Sequence, residues 1–177
     1  MRTWWSREFA LGVLAVCLAG GWASGVAQYA ESPVQLAQNL FRMINAARAD
    51  PDYRAETGGQ AAPLRWDAAV ARVALRHSEQ MAREHRLSHT GADGRSPAAR
   101  MDAAGIAWTI VAENVAMAPS IKAANQMMMS EPPLQANHRG NILDRRFDLV
   151  GIGVAASGDE LWVTEDFLRA PSPARKQ

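Results

Sequence analysis

Cysteine is nearly absent from this sequence, because Cys17 is the only one in 177 residues. That count excludes zinc ribbons and disulfide-rich scaffolds. A marked excess of one charge is also missing, since 19 Lys and Arg residues are balanced by 18 Asp and Glu residues. The balance argues against a nucleic-acid-binding protein, which normally carries a basic face. The chain does have a 48% apolar content and a length suited to one domain, so we expect a single packed core.

The sequence also lacks an apolar run long enough to span a bilayer, although a shorter run lies near its start. The segment from Phe9 to Gly21 falls short of the roughly 20 residues that a spanning helix needs. It follows Arg2 and Arg7 and precedes small residues that extend to Ala27, which is the pattern of a secretory signal. We therefore predict a signal peptide over residues 1–27, with cleavage after Ala27.

Cleavage would leave a domain over residues 28–170 and a flexible tail over residues 171–177. The removed segment contains the only cysteine, so the mature chain, domain and tail together, would be cysteine-free and would carry equal numbers of acidic and basic residues. The alternatives are an uncleaved N-terminal anchor and a lipoprotein acylated at Cys17. We predict a secreted or periplasmic protein with no stable transmembrane segment after processing.

Hydrophobic periodicity predicts helices in the first two thirds of the mature chain and strands in the last third. Ser32, Pro33 and Gln35 form a capping box with proline at the first helical position, which predicts a helix from there to about Ala49. The other predicted elements are helices at 67–85, 96–105 and 121–130 and strands at 108–116, 149–156 and 161–167. This order predicts a one-domain α+β fold.

Common catalytic signatures are missing: the sequence has no G-x-S-x-G elbow, no glycine-rich phosphate loop and no H-E-x-x-H motif. Four polar residues instead fall where a core would end and a cleft begin, namely His89, Glu113, Glu131 and His138. Glu113 interrupts an apolar strand, where a carboxylate is costly unless it is paired, and a histidine is its natural partner. The alternative is that Glu113 lies at a strand edge in water.

Three further features have two interpretations each. His85 and His89 are four residues apart and would form a metal pair on one helix face, but the helix is expected to end between them. The segment Met127–Met129 is either core or a soft ligand groove. Arg139 either belongs to a solvated face or holds a carboxylate in a bidentate manner.

Short segments of this chain resemble, in the same order, motifs of the CAP/SCP superfamily. This superfamily is defined by the sperm-coating-protein domain of cysteine-rich secretory, antigen-5 and plant pathogenesis-related proteins. The resemblance covers roughly Leu40 to Leu168 and is to a bacterial-type member, because the disulfides of animal and plant relatives are absent. The segments are Asn45-Ala46-Ala47-Arg48, Leu64-Arg65-Trp66-Asp67, Leu87-Ser88-His89-Thr90, Ala112-Glu113-Asn114-Val115, His138-Arg139-Gly140-Asn141-Ile142-Leu143, Val150-Gly151-Ile152-Gly153-Val154 and Trp162-Val163-Thr164-Glu165-Asp166-Phe167.

The resemblance implies a three-layer α-β-α sandwich with a central antiparallel sheet, and a cleft that holds two histidines and two glutamates in many relatives. His89 matches the first histidine, Glu113 the first glutamate and Glu131 the second. The second histidine of eukaryotic members would fall at Trp162, which leaves His138 as its substitute. His89, Glu113 and His138 are therefore the candidate ligands of a divalent metal, either Zn²⁺ or Mg²⁺, and Trp162 weakens this metal hypothesis.

Relatives have been associated with sterol or lipid binding and with effects on partner proteins. The resemblance therefore implies a non-enzymatic binding module whose His/Glu cleft takes a small ligand, a lipid or a protein segment. One alternative is a metal-assisted hydrolase, with Glu113 as the base and His89 as an electrophile or ligand. The other is a structural envelope protein with a vestigial cleft. We expect no nucleic-acid partner.

Overall fold

The computed structural model of the chain describes residues 31–59 and 61–172. The predicted signal peptide and most of the predicted tail lie outside these residues. The elements are α1 (Pro33–Ala49), a 3₁₀ turn (Pro51–Tyr53), α2 (Arg54–Thr57), β1 (Arg65–Trp66), α3 (Ala68–Glu84), α4 (Pro97–Ala103), β2 (Ile110–Ala118), α5 (Ile121–Met129), α6 (His138–Leu143), β3 (Leu149–Ser157) and β4 (Glu160–Arg169). Within the described residues, no helix combines the length and the apolar character needed to cross a membrane.

Helix α1 begins where the sequence predicts. The hydroxyl of Ser32 accepts the backbone N–H of Gln35, and the Gln35 side chain accepts the N–H of Ser32, which completes the capping box. Leu36, Leu40 and Ile44 are buried along one face, so the helical spacing of apolar residues in the sequence corresponds to a real core-facing stripe.

The last turn of α1 anchors the helix to the chain segments around it. The Asn45 amide donates to the carbonyl of Leu64 at 3.1 Å and accepts its N–H at 2.8 Å. The guanidinium of Arg48 is buried and donates to four backbone carbonyls, those of Ala62, Ile142, Asp144 and Phe147. Burial lowers the pKa of Arg48 to about 10. Both polar residues of the N-x-x-R motif therefore hold the fold together.

Helix α3 is capped by Asp67, whose carboxylate accepts the N–H groups of Ala69 and Val70. It ends at His85, which adopts a left-handed conformation with φ of 47°. His89 lies beyond this end in a turn, so His85 and His89 do not share a helix face. The expectation that the helix ends between them is confirmed.

The four strands form one sheet in the order β1-β3-β4-β2, with β2 at an edge. Strands β3 and β4 form an antiparallel hairpin, and β2 runs antiparallel to β4. Strand β1 pairs with β3 in parallel over two residues. The antiparallel arrangement is confirmed for the three long strands, and the short β1 makes the complete sheet mixed.

Helices cover both faces of the sheet, which confirms the α+β fold and its α-β-α layering. On one face α1, α5 and α6 pack against side chains such as Ile152 and Val163. On the other face α3 and α4 pack against side chains such as Val115 and Leu168. Because both faces are covered, β4 is buried almost from end to end.

Two glycines allow α3 to lie directly on β3. A Cβ atom at Gly151 would lie 2.2 Å from the backbone nitrogen of Ala71, and one at Gly153 would lie 2.2 Å from that of Leu75. Both distances are far below van der Waals contact, and the opposing atoms belong to the helix backbone. The close contact between helix and sheet therefore requires glycine at both positions.

The long elements lie close to where the sequence pattern predicts them, whereas the short elements are not predicted by it. Strand β2 begins at Ile110 and ends at Ala118, two residues later at each end than predicted. Elements α2, α6 and β1 have four, six and two residues. The two helices contain fewer than two turns each, and β1 is no longer than one strand repeat. The spacing of apolar residues therefore cannot identify them.

Candidate functional site

The structure brings His89 and Glu113 together beside the edge strand β2. The Nδ1 atom of His89 lies 2.8 Å from Oε1 of Glu113. The Glu113 side chain is 1% exposed, whereas that of His89 is 57% exposed. The alternative of a strand-edge carboxylate in water is therefore wrong. The imidazole of His89 therefore lies between the buried carboxyl group of Glu113 and the solvent.

Arg100 contacts the same carboxylate from α4, a contact that the sequence pattern does not predict. One terminal nitrogen of its guanidinium donates to Oε2 of Glu113, and the other donates to the backbone carbonyl of His89 at 2.9 Å. The Arg100 side chain is 10% exposed. Both oxygens of Glu113 are therefore engaged, one by an imidazole and one by a guanidinium.

Asp166 places a second carboxyl group next to Glu113, because the two residues are direct partners in the register of β2 and β4. Asp166 is fully buried, and within the described part of the chain neither of its side-chain oxygens has a hydrogen-bond partner. Burial raises the pKa of Glu113 to about 7 although Arg100 acts to lower it, and burial followed by the charge of Glu113 raises the pKa of Asp166. Two buried carboxyl groups beside one guanidinium are expected to share a proton, which would supply the missing hydrogen bond.

His77 supports this group from α3. Its side chain is fully buried, and its Nε2–H donates to the carbonyl of Ser88 at 2.7 Å, which fixes the turn that carries His89. The same nitrogen lies 3.9 Å from Oε2 of Glu113. Burial, followed by the charge of Arg100, lowers the pKa of His77, so this ring is neutral at pH 7.

A second His–Glu pair forms between the end of α5 and the start of α6. The Nδ1 atom of His138 lies 2.7 Å from Oε1 of Glu131, and the backbone N–H of His138 donates to Oε2 at 2.7 Å. Burial acts to raise the pKa of Glu131, but the hydrogen bonds from His138 and Arg139 outweigh burial and lower it. Glu131 therefore carries its charge at neutral pH and fixes the position of His138.

Asn114 connects this second pair to another buried acid. Its amide nitrogen donates to the carbonyl of His138 at 3.1 Å and to Oε2 of Glu165 at 2.9 Å, and its amide oxygen accepts from Asn141 at 2.8 Å. Glu165 is fully buried, and its Oε1 has no hydrogen-bond partner among the described residues. Burial raises the pKa of Glu165 to about 7.

Replacing Glu165 with glutamine is expected to stabilise the protein above pH 7 and to change little at low pH. The folded pKa is about 7 against an ordinary value of 4.5, so the stability contributed by the bound proton is present below pH 4.5 and is lost as the pH rises through 7. Glutamine is neutral at every pH, so Glu165→Gln should gain roughly 2–3 kcal/mol at about pH 8. Urea unfolding at low and high pH measures this difference. The exposed Glu79→Gln is the matched control, and a Glu165→Gln effect that does not change with pH would contradict the burial argument.

The two His–Glu pairs do not combine into one metal site. Glu113 points toward the α3 face of the sheet, whereas the next side chain, Asn114, points to the opposite face and contacts the backbone of His138 there. In the part of the chain that the structure describes, no three His, Asp or Glu side chains form a group suited to a metal ion. The candidate set of His89, Glu113 and His138 therefore does not fit a three-ligand site, and Arg100 beside Glu113 would also repel a cation.

Trp162 lies away from both pairs, although it shares a sheet face with Glu113. Its partner in β2 is Met117, four residues beyond Glu113, which corresponds to about 13 Å along the strand. Its ring packs with Met81 and lies 6.2 Å from the ring of His85. The presence of tryptophan here therefore says nothing about the surroundings of His89 and Glu113.

The remaining sequence predictions have mixed outcomes. Met128 is buried in the core, whereas Met127 is half exposed, so the methionine run is divided between core and surface. Arg139 is 17% exposed and binds Glu56 of α2 through two nitrogens, which confirms bidentate binding of a carboxylate. It also lies over the Tyr53 ring at 5.0 Å. The solvated-face interpretation of Arg139 is wrong.

Solved structures with a similar fold include bacterial proteins of the cell exterior. An extracellular protein with an SCP domain from Bacillus anthracis has a TM-score of 0.60 and 22% identity, and the match covers 80% of this chain and 45% of that one. An outer surface protein of Borrelia burgdorferi has a TM-score of 0.67 and 14% identity, with 80% and 97% covered. A cysteine-rich secretory protein of Staphylococcus aureus has a TM-score of 0.58 and 17% identity, with 80% and 41% covered.

These likenesses support the fold, since all three identities are low. The chain spans less than half the length of the Bacillus and Staphylococcus proteins and nearly all of the Borrelia protein. No curated protein matches this chain in sequence. The cysteine-rich secretory protein family, CAP, matches residues 41–167, a range that contains His89, Glu113, Glu131 and His138. The chain belongs to the CAP family.

Proposed function

We propose that this chain is an exported CAP-domain binding module in which His89 meets a small ligand, a lipid or a protein segment. The observation that carries the proposal is the contact of the His89 ring with Glu113, together with the bonds that Arg100 donates to Glu113 and to the backbone carbonyl of His89. These two buried side chains fix an imidazole that is itself 57% exposed. A rigidly held polar group at the surface is suited to recognition because little entropy is lost when it binds.

The protonation of His89 supports a role in neutral hydrogen bonding. Partial burial, followed by the charge of Arg100, lowers the pKa of this histidine, so the ring is neutral at pH 7. Its Nδ1 is engaged by Glu113, which leaves Nε2 as the nitrogen that a ligand would contact. Because Glu113 titrates at about pH 7, the tautomer of His89 and hence the donor or acceptor character of Nε2 are expected to follow pH.

The geometry favours binding over hydrolysis. The hydrolase alternative makes Glu113 the base, and a carboxylate base needs a free oxygen, whereas both oxygens of Glu113 are held by protein groups. The neighbouring hydroxyl, Ser88, donates to the carbonyl of Thr90 at 2.9 Å, so it is not directed at His89 as a nucleophile would be. A metal-assisted reaction would need ligands that the candidate set does not bring together.

Export is part of the proposal. Its support is the pattern of residues 1–27, with two basic residues before a short apolar run and small residues after it. On this view residues 28–170 form the mature domain. The Bacillus anthracis and Borrelia burgdorferi proteins of similar fold are described as extracellular and as an outer surface protein.

A titration of the mature protein with palmitate, cholesterol and a tetra-alanine peptide tests the binding role. The ring resonances of His89 are followed by NMR, and the probes are assayed for chemical change. We expect at least one probe to shift the His89 ring and to bind about tenfold more weakly to His89→Ala, because one oriented hydrogen bond is lost.

The control is His85→Ala, which removes an exposed histidine at the end of α3 that does not contact Glu113. It should leave binding unchanged. Conversion of a probe by the wild type, abolished in His89→Ala, would favour the hydrolase instead. If no probe binds and no ring shift occurs, the cleft is vestigial and the proposal is wrong.

A further inference from the structure

A polar cleft of about 370 Å³ lies beside the site described above and is lined by four arginines. One wall is α3, and the other is α4 with the turn before it. The lining arginines are Arg76, Arg83, Arg95 and Arg100, against a single lining carboxylate, Asp93. A cleft of this size is at the lower end of the range for small-molecule sites.

Two of these arginines have no partner in the part of the chain that the structure describes. Arg76 and Arg83 are exposed, and across the described residues neither makes a hydrogen bond or an ion pair. They are separated by two turns of α3, about 10 Å along its axis, with Gln80 between them on the same side. Both therefore lie on the face of α3 that borders the cleft, with their guanidinium groups unneutralised.

Two of the nearby acidic groups, Asp93 and Glu84, are already paired. Asp93 binds the guanidinium of Arg95 at 2.6 Å. Glu84 accepts from Gln80 at 3.1 Å and binds Arg86 at 3.2 Å. Glu79 precedes Arg83 by four residues, but the two form no ion pair within the described ranges. The cleft consequently keeps an excess of positive charge.

The inner end of the cleft offers a further donor. The Nε–H of Arg100 is buried and lacks an acceptor among the described residues, while its terminal nitrogens are occupied by Glu113 and by backbone carbonyls. Val73, Ala103 and Ala104 add an apolar surface to the lining. Guanidinium groups match the geometry of phosphate and sulfate oxygens, and two unpaired ones suit a doubly charged group better than a single carboxylate.

We propose that this cleft binds a phosphate or sulfate group of a small ligand. Arg76 and Arg83 would hold the group, and the Nε–H of Arg100 would donate to it from the inner end of the cleft. The cleft shares Arg100 with the His89–Glu113 site, but the ring of His89 does not line it, so the proposal does not depend on the function proposed above. Two sources share this chemistry, namely a free phosphorylated small molecule and the headgroup of an anionic lipid.

The test is a calorimetric titration of the mature protein with inorganic phosphate, pyrophosphate, sulfate and acetate at millimolar concentration and constant ionic strength. Sedimentation with vesicles of phosphatidylcholine, with or without phosphatidylglycerol, is the second arm. We expect pyrophosphate to bind more tightly than acetate and Arg76→Gln/Arg83→Gln to weaken it at least tenfold. The charge-matched control is Arg65→Gln/Arg72→Gln, two exposed arginines outside the cleft, which should change binding less than about twofold.

Each outcome either supports the anion site or overturns it. Loss of pyrophosphate binding in the cleft variant alone supports a free phosphorylated ligand. Loss of binding to phosphatidylglycerol vesicles in that variant alone, without binding of the free ions, supports a lipid headgroup. Equal weakening in both double variants would show diffuse charge attraction and would overturn the proposal, and so would the absence of binding in both arms. His89→Ala should leave this binding unchanged, which separates the result from the test of the proposed function.

Discussion

Replacing Arg100 with methionine is expected to destabilise the protein by about 3–5 kcal/mol at neutral to alkaline pH, because it leaves a buried carboxylate without its cation. Glu113 is 1% exposed and Arg100 is 10% exposed, so water cannot take over the lost contact without a rearrangement of the site. Asp166 beside Glu113 increases the penalty, because a second buried carboxyl group also loses the nearby positive charge.

The loss should depend on pH. Without Arg100 the folded pKa of Glu113 rises further above about 7, so the folded variant binds a proton that the unfolded chain has released. The deficit relative to the wild type therefore grows as the pH rises and shrinks in acid. Urea unfolding of both proteins from about pH 5 to pH 8 measures this. A deficit no larger than that of Arg95→Met, an exposed ion pair worth about 0–1 kcal/mol, would contradict the account.

Replacing Gly153 with alanine is expected to destabilise the protein by about 3 kcal/mol or more, at or above the upper end of the usual range for overpacking. The added methyl group would lie 2.2 Å from the backbone nitrogen of Leu75 and 2.3 Å from the backbone carbonyl carbon of Ala74. A side chain could rotate away, but a helix backbone cannot move without shifting α3 from the sheet. Since α3 carries His77 and leads to His89, the same shift should disturb the site.

Thermal unfolding, together with the NMR signals of His89, measures both effects. Gly94→Ala is the matched control, because nothing lies within 4 Å of its added Cβ and only its φ of 78° opposes the change. That control should cost about 1–2 kcal/mol. If Gly153→Ala is no worse than Gly94→Ala, the close contact between α3 and β3 does not limit stability.

The sequence predicts those parts of this molecule that depend on local physics. Ser32 and Asp67 are recognisable caps, and apolar spacing identifies the long helices because a buried face repeats every few residues. Glu113 stands out because a carboxylate inside an apolar strand needs a partner. His89 is the natural choice for that partner, and the structure places the two in contact.

The rest of the site depends on long-range geometry. Asp166 meets Glu113 only because of the register of β2 against β4. The register of two strands that are far apart in the chain cannot be predicted from the sequences of those strands alone. Arg100 is one of many arginines in the sequence, and nothing in its seven-residue helix distinguishes it. The sequence likewise does not show on which face of the sheet a residue lies. His138 is therefore expected near His89, whereas its backbone contacts Asn114 on the opposite face of β2.

The central claim is that Glu113 is a buried acid held between an exposed imidazole and a buried guanidinium. Its direct test is a ¹³C NMR titration of the Glu113 side-chain carboxyl in the folded wild type and in Arg100→Met. The account predicts a midpoint at about pH 7 in the wild type and a higher one in the variant. A wild-type midpoint near the ordinary value of 4.5, unchanged by removal of Arg100, would contradict it.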